Sequence, residues 1–205
     1  MKRLTLTIAI FCGLLSVQSM AESVILNPYQ ILNVQSGQLN KAQILVENGK
    51  IIQIGSNLNK KIAGAKVINL PDLTLIPGLM DAHVHLMGNT DLKGYAGISE
   101  SSQLATIYGV KNAKNTLLAG FTTVRDVGAG SFSDVALKEA INKNVVIGPT
   151  LLVSGPALGI TGGHCDSNLL PHEYDHQSEG VVNSPWEARK QVRKNRKYGA
   201  DLIKF

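Results

Sequence analysis

Apolar positions fall into two regimes along the chain. As far as Leu70 they form short β-prone runs: Val24 to Leu26, Tyr29 to Val34, Ala42 to Val46, Ile51 to Ile54 and Val67 to Leu70. Turn residues such as Ser36-Gly37 separate them, which predicts short strands and a small β module. Asn48-Gly49, set between two of these runs, predicts a tight hairpin with a type I′ turn.

From Leu75 onwards strand-like and helix-like stretches alternate. Leu79 to Leu86 alternates, placing Leu79, Asp81, His83 and His85 on one face and Met80, Ala82, Val84 and Leu86 on the other. Helical spacing from Gln103 to Ala119 uses Leu104, Ile107, Tyr108, Leu117 and Leu118, and Gly120 ends it. Phe121 to Gly128 predicts a second strand and Ser133 to Lys143 a second helix, with Ser133 as N-cap and Val135, Leu137 and Ile141 on its buried face. Pro149 to Ser154 predicts a third strand. Ser184-Pro185-Trp186-Glu187 opens a third helix with a capping box, and Ala188 and Val192 mark its buried stripe. Ala200 to Phe205 begins a fourth strand. This alternation predicts an α/β fold with a parallel sheet.

The first strand ends in two imidazoles two residues apart, able to share one divalent ion through neutral ring nitrogens. Spacing alone equally fits hydrogen-bonded core or surface histidines. The segment Pro77-Gly78-Leu79-Met80-Asp81-Ala82-His83-Val84-His85 resembles the first-strand signature of the amidohydrolase superfamily, metal-dependent hydrolases built on a TIM-type (β/α)8 barrel. Gly120-Phe121-Thr122-Thr123-Val124-Arg125-Asp126 resembles its second strand, and Thr161-Gly162-Gly163-His164 a loop of the prolidase-like (Xaa-Pro dipeptidase-like) branch. The imidazolonepropionase-like and prolidase-like branches carry a small β-sandwich beside the barrel, so the resemblance implies a sandwich module over 22–70 and the first half of the barrel, about four strands, over 71–205.

What the resemblance implies for the site is specific. His83 and His85 ligate one metal, and Lys204, on the fourth strand, is carboxylated and bridges two; zinc is the expected ion, and the same donors suit several others. His164 is a candidate substrate contact. Two further histidines and the catalytic aspartate come from later strands beyond residue 205, so the expected activity, hydrolysis of a small amide or dipeptide C–N bond by a metal-activated water, belongs to the complete protein and not to the isolated chain. A non-catalytic fragment, or an organophosphate or lactone hydrolase on the same scaffold, is the alternative. Arg125 and Asp126 are expected to be structural, fixing loops by ion pairs.

The remaining features refine this. Lys2-Arg3, an uncharged apolar run from Leu4 to Val17 and Ser19-Met20-Ala21 predict an export signal over 1–21, hence a periplasmic or secreted protein with no lasting membrane anchor. The run is shorter than the roughly 20 residues needed to span a bilayer. Removing the signal takes the formal charge from +5 to +3 and implies no nucleic-acid partner. It leaves Cys165 as the only thiol, so no disulfide framework. A complete barrel needs roughly 250 residues, so the 205 here are expected to form an N-terminal portion. Homo-oligomer formation stays open for the complete protein. The loop Met87 to Ser101 lies where it could cover the site. Cys165 is read as an inert packed side chain over a soft metal ligand, His172 and His176 as loop residues, and the basic run Arg189 to Lys197 as a solvated helix face.

Overall fold

The computed structural model describes residues 23–205, and for Lys60 the backbone alone; the predicted export signal lies outside the described residues. Contacts divide the chain into two units, meeting at Pro77 and Gly78.

The first unit is one five-stranded sheet. β1 (Ser23–Leu32) pairs in parallel with β5 (Lys66–Leu75). Its other edge is shared between β3 (Gln43–Glu47), paired with Ser23 to Leu26, and β2 (Leu39–Asn40), paired with Ile31 and Leu32. The two runs expected around Asn27-Pro28 are therefore one strand. Pro28 sits in the gap between its two antiparallel partners, where a missing N–H is tolerated. β3 turns into β4 (Lys50–Gly55) through Asn48 and Gly49 at φ 51° and 73°, the hairpin predicted. A one-turn helix α1 (Leu58–Lys61) brings Leu58 into a small core with Ile25 and Leu45. Among the described residues the module is a single sheet, and Ile51, Ile52 and Ile54 of β4 are exposed.

The second unit is a parallel α/β arrangement. β6 (Leu79–Val84), β7 (Phe121–Asp126) and β8 (Thr150–Val153) lie side by side in that order. After β6 come one turn, α2 (Tyr95–Ile98), and the long helix α3 (Ser102–Leu118); α4 (Ser133–Asn142) links β7 to β8, and α5 (Pro185–Lys197) follows a long excursion. Leu86, Val124, Val135, Leu137, Leu151 and Val153 form the core. Burying each such aliphatic side chain contributes about 1.5–3 kcal/mol.

Several local expectations are corrected. Three strands form the ladder, not four. Asp201 and Leu202 meet only the end of β8: both N–H groups donate to the Val153 carbonyl and the Asp201 carboxylate takes the Val153 N–H, without a fourth ladder among the described residues. α3 buries Gly109 and Ala113 while Leu104, Ile107 and Leu118 stay exposed; a Cβ on Gly109 would meet Met87 at 2.6 Å and Leu137 at 3.5 Å, so the helix packs there through a small residue. α5 buries the polar Gln191 and Asn195, and Val192 is exposed. Its cap is as predicted, Ser184 accepting from the Glu187 N–H, although the Glu187 carboxylate takes the Asn183 N–H and not that of the cap residue. Ser133 is the first helical residue, not the cap; its hydroxyl donates to the Gly130 carbonyl.

Candidate functional site

The site residues stand at or just past the C-terminal ends of the parallel strands, where αβ folds place their chemistry. β6 does not reach this end regularly. Asp81 pairs with Val124 and Val84 with Asp126, so Ala82 and His83 together face the single residue Arg125. An opposite irregularity between Leu79 and Met80 compensates for it. This bulge interrupts the simple alternation expected for the strand. Bulges of this kind re-aim side chains beside active sites.

His83 and His85 nevertheless remain neighbours, with ring centroids 5.5 Å apart and planes at 69°. The His85 Nδ1 lies 3.2 Å from the Gly128 carbonyl oxygen. A carbonyl only accepts, so this bond calls for the Nδ1–H tautomer, which in the neutral ring leaves Nε2 as a lone-pair donor, the arrangement by which outer partners orient metal-binding imidazoles. Gly128 allows this approach: its φ is 149°, and a Cβ there would meet Ala157 at 3.3 Å and the His85 ring at 3.5 Å.

Two hollows open here. One, about 450 Å³, is lined by His85, His164, Cys165, His176, Glu179 and Lys204. The other, about 170 Å³, is lined by His83, Arg125 and Lys204. Lys204 thus borders both histidines. It is held through its backbone: its carbonyl accepts from the Leu158 N–H, and three residues earlier Asp201 bridges the Val153 N–H and the Lys138 ammonium, the latter at 2.6 Å. Among the described residues no three His, Cys, Asp or Glu side chains gather as a metal-holding group. The donors present are two imidazoles and an amine, a set that fits a divalent ion once the amine becomes a carbamate.

The excursion carrying His164 is tied down from below. Gly159 and Val181 form a bridge, and a Cβ on Gly180 would collide with the Ala157 carbonyl. Glu179 accepts the Ser131 N–H and pairs with Lys194. Cys165 is half-buried against Gly159. His172 is exposed on a 3₁₀ turn, as the loop reading expected.

Buried polar residues shape these strand ends; of them the sequence singled out Asp126 alone, as a structural residue, and not Asp134, Asn112 or Asn195. Asp126 is fully buried; its Oδ2 accepts the Leu86 N–H, while Oδ1 has no partner among the described residues. Burial pushes its carboxyl up to about 6, against the pull of the Leu86 N–H. Asp134, raised by burial as well, accepts the Gly155 N–H. Asn112 donates to the Leu86 and Gly88 carbonyls, and Asn195 to those of Ser154 and Pro156. For Asn112, Asp134 and Asn195 the one sequence signal was an Asn or Asp on a helical position.

The sequence profile of the amidohydrolase family matches residues 74–205. Over 188 residues the chain is 31% identical to the ochratoxinase of Aspergillus niger, covering 81% of this chain and 38% of that enzyme. Among solved structures it aligns with a Xaa-Pro dipeptidase holding methionine in its active site, at a TM-score of 0.79 and 30% identity, over 89% of this chain and 46% of the other. It also aligns with a prolidase complexed with N-methylphosphonate-L-proline, at a TM-score of 0.71 and 26% identity, over 89% and 46% respectively. The chain therefore spans less than half the length of these relatives. With the profile running from the end of β5 through Lys204, and with this strand-end geometry, the chain belongs to the amidohydrolase family.

Proposed function

We propose that this chain is the N-terminal part of an exported hydrolase that cleaves the C–N bond of a small amide or dipeptide at a divalent-metal centre. His83, His85 and Lys204 are its metal ligands from this chain, and His164 is a substrate contact. The observation that carries this is Lys204 on the wall of both hollows, one with His83 and the other with His85. The likeness to a dipeptidase and a prolidase supports the substrate class.

A bound metal pair, with zinc as the expected ion, supplies Lewis acidity toward the scissile carbonyl and lowers the pKa of water. The chain's own residues prepare for this. The Gly128 carbonyl keeps the His85 proton on Nδ1. In its neutral form the Lys204 amine would add to carbon dioxide, forming an N–C bond while one C=O electron pair moves to oxygen and the nitrogen releases a proton, and the carbamate would offer anionic oxygens. His164 stands in the same cleft as His85, where it can orient a substrate group.

The test is substrate profiling of the intact, zinc-loaded protein against dipeptides, aryl amides, lactones and phosphotriesters. Dipeptide or amide hydrolysis that falls more than about 100-fold in His83→Ala, His85→Ala and Lys204→Ala is expected, ligand loss exceeding the 10–100-fold typical of outer residues. Turnover of lactones or phosphotriesters alone, or full activity in His83→Ala, contradicts the proposal.

A further inference from the structure

We infer that Arg125 is a positioning residue for the first-strand imidazoles, acting through the bulge that carries His83. The inference rests on the metal-ligand reading above. In the bulge, Ala82 and His83 oppose one residue of β7, so their backbone groups leave the regular ladder. Backbone groups released from a ladder at a bulge are free to take side-chain partners. Each finds a side chain: the Asp81 Oδ1 accepts the His83 N–H at 2.9 Å, and the Arg125 Nε donates to the Ala82 carbonyl at 2.6 Å. The residue that the bulge leaves opposite itself thus supplies, from its own side chain, the bond that the ladder omits.

The consequence for His83 follows from strand geometry. Relaxing a one-residue bulge into regular pairing moves each side chain beyond it to the opposite face. His83 borders the small hollow with Arg125 and Lys204 only while the bulge is held. Arg125 suits the task because its planar head fixes direction as well as contact, and a lysine ammonium replaces the contact without the direction. Asp126, the next residue, serves the same end of β6 from the other face by taking the Leu86 N–H, one residue past His85. The two neighbours Arg125 and Asp126 therefore brace β6 from opposite faces of β7, by bonds to its backbone. The ion pairs expected from the sequence are not how they act.

The experiment measures zinc affinity by chelator competition, and the visible spectrum of the cobalt(II)-substituted intact protein, for Arg125→Met, Arg125→Lys, Asp81→Ala and His83→Ala. Arg125→Met is expected to weaken zinc binding about 10–100-fold and to alter the cobalt spectrum, the range seen when outer partners of metal ligands are lost. Arg125→Lys recovers much of that loss, and circular dichroism of both matches the parent. Asp81→Ala, which frees the His83 N–H from the other side of the bulge, changes the cobalt spectrum in the same sense and carries the test if Arg125→Met does not fold. Parental affinity and spectrum in Arg125→Met, or in Asp81→Ala where Arg125→Met is unfolded, overturn the inference while a weakened His83→Ala leaves the metal-ligand reading standing. Parental affinity in His83→Ala overturns both.

Discussion

The two sheets satisfy their backbones by different means. In the first unit the ladders do almost all of the work, and Gln43 is the only buried polar side chain among its described residues. In the second, Asp126, Asp134, Ser154, Gln191 and Asn195 are all buried, and four of them hold backbone groups where strands give way to loops. A regular ladder needs no help from side chains. Strand ends that carry chemistry must leave the ladder, and every N–H or carbonyl released there needs a partner in a medium without water.

If this contrast is right, the most costly substitutions lie under the loops of the second unit. Asn195→Ala strips partners from the Ser154 and Pro156 carbonyls and from the Gln191 amide. At about 1–3 kcal/mol per buried group, a loss of about 3–5 kcal/mol is expected in urea unfolding. A loss below 1 kcal/mol would mean that the loop does not depend on α5.

The pH profile gives the next largest effect. Because burial raises the Asp126 carboxyl from 3.8 to about 6, the folded chain binds this proton more tightly than the unfolded one. Its contribution is fully present below pH 3.8 and is lost as pH rises through about 6, a decline of roughly 3 kcal/mol. Asp134, raised by the same cause, adds a slope of the same sign. In Asp126→Asn the larger part of this decline should disappear from unfolding curves collected between pH 4 and 7. An unchanged slope would assign the titration elsewhere.

In the first unit the effects should be small and local. Gly49→Ala forces a Cβ into a position at φ 73° and is expected to cost about 1 kcal/mol, seen as a lower thermal midpoint. Ile52→Thr, on the exposed part of β4, should change stability by less than about 0.5 kcal/mol. A larger loss at Ile52 would mean that this face is covered in solution.

The same contrast governs what the sequence could disclose. The hairpin at Asn48-Gly49 and the start of α5 at Ser184-Pro185 were legible because the residues that need special backbone geometry, or that supply a cap, are adjacent in sequence. The β6–β7–β8 core was legible from apolar runs. The bulge at His83 was not, since register depends on where β7 pairs and nothing in Asp81-Ala82-His83 fixes it. The buried faces of α3 and α5 were misassigned for a related reason. Gly109 is held to a small residue by the side chains of Met87 and Leu137, and Ala113 packs against Gly148, while Asn195 is set by the carbonyls of a loop some forty residues away and Gln191 by Asn195. The fourth strand was anticipated at Ala200 to Phe205, where the Asp201 carboxylate takes the Val153 N–H.

Anomalous diffraction at the zinc edge, from crystals of the intact protein grown with zinc, tests the central claim most directly. The account predicts a peak about 2.0–2.1 Å from a ring nitrogen of both His83 and His85, with density for a carbamate on Lys204 reaching the same centre. A zinc peak elsewhere, with these three side chains free of metal, would contradict it.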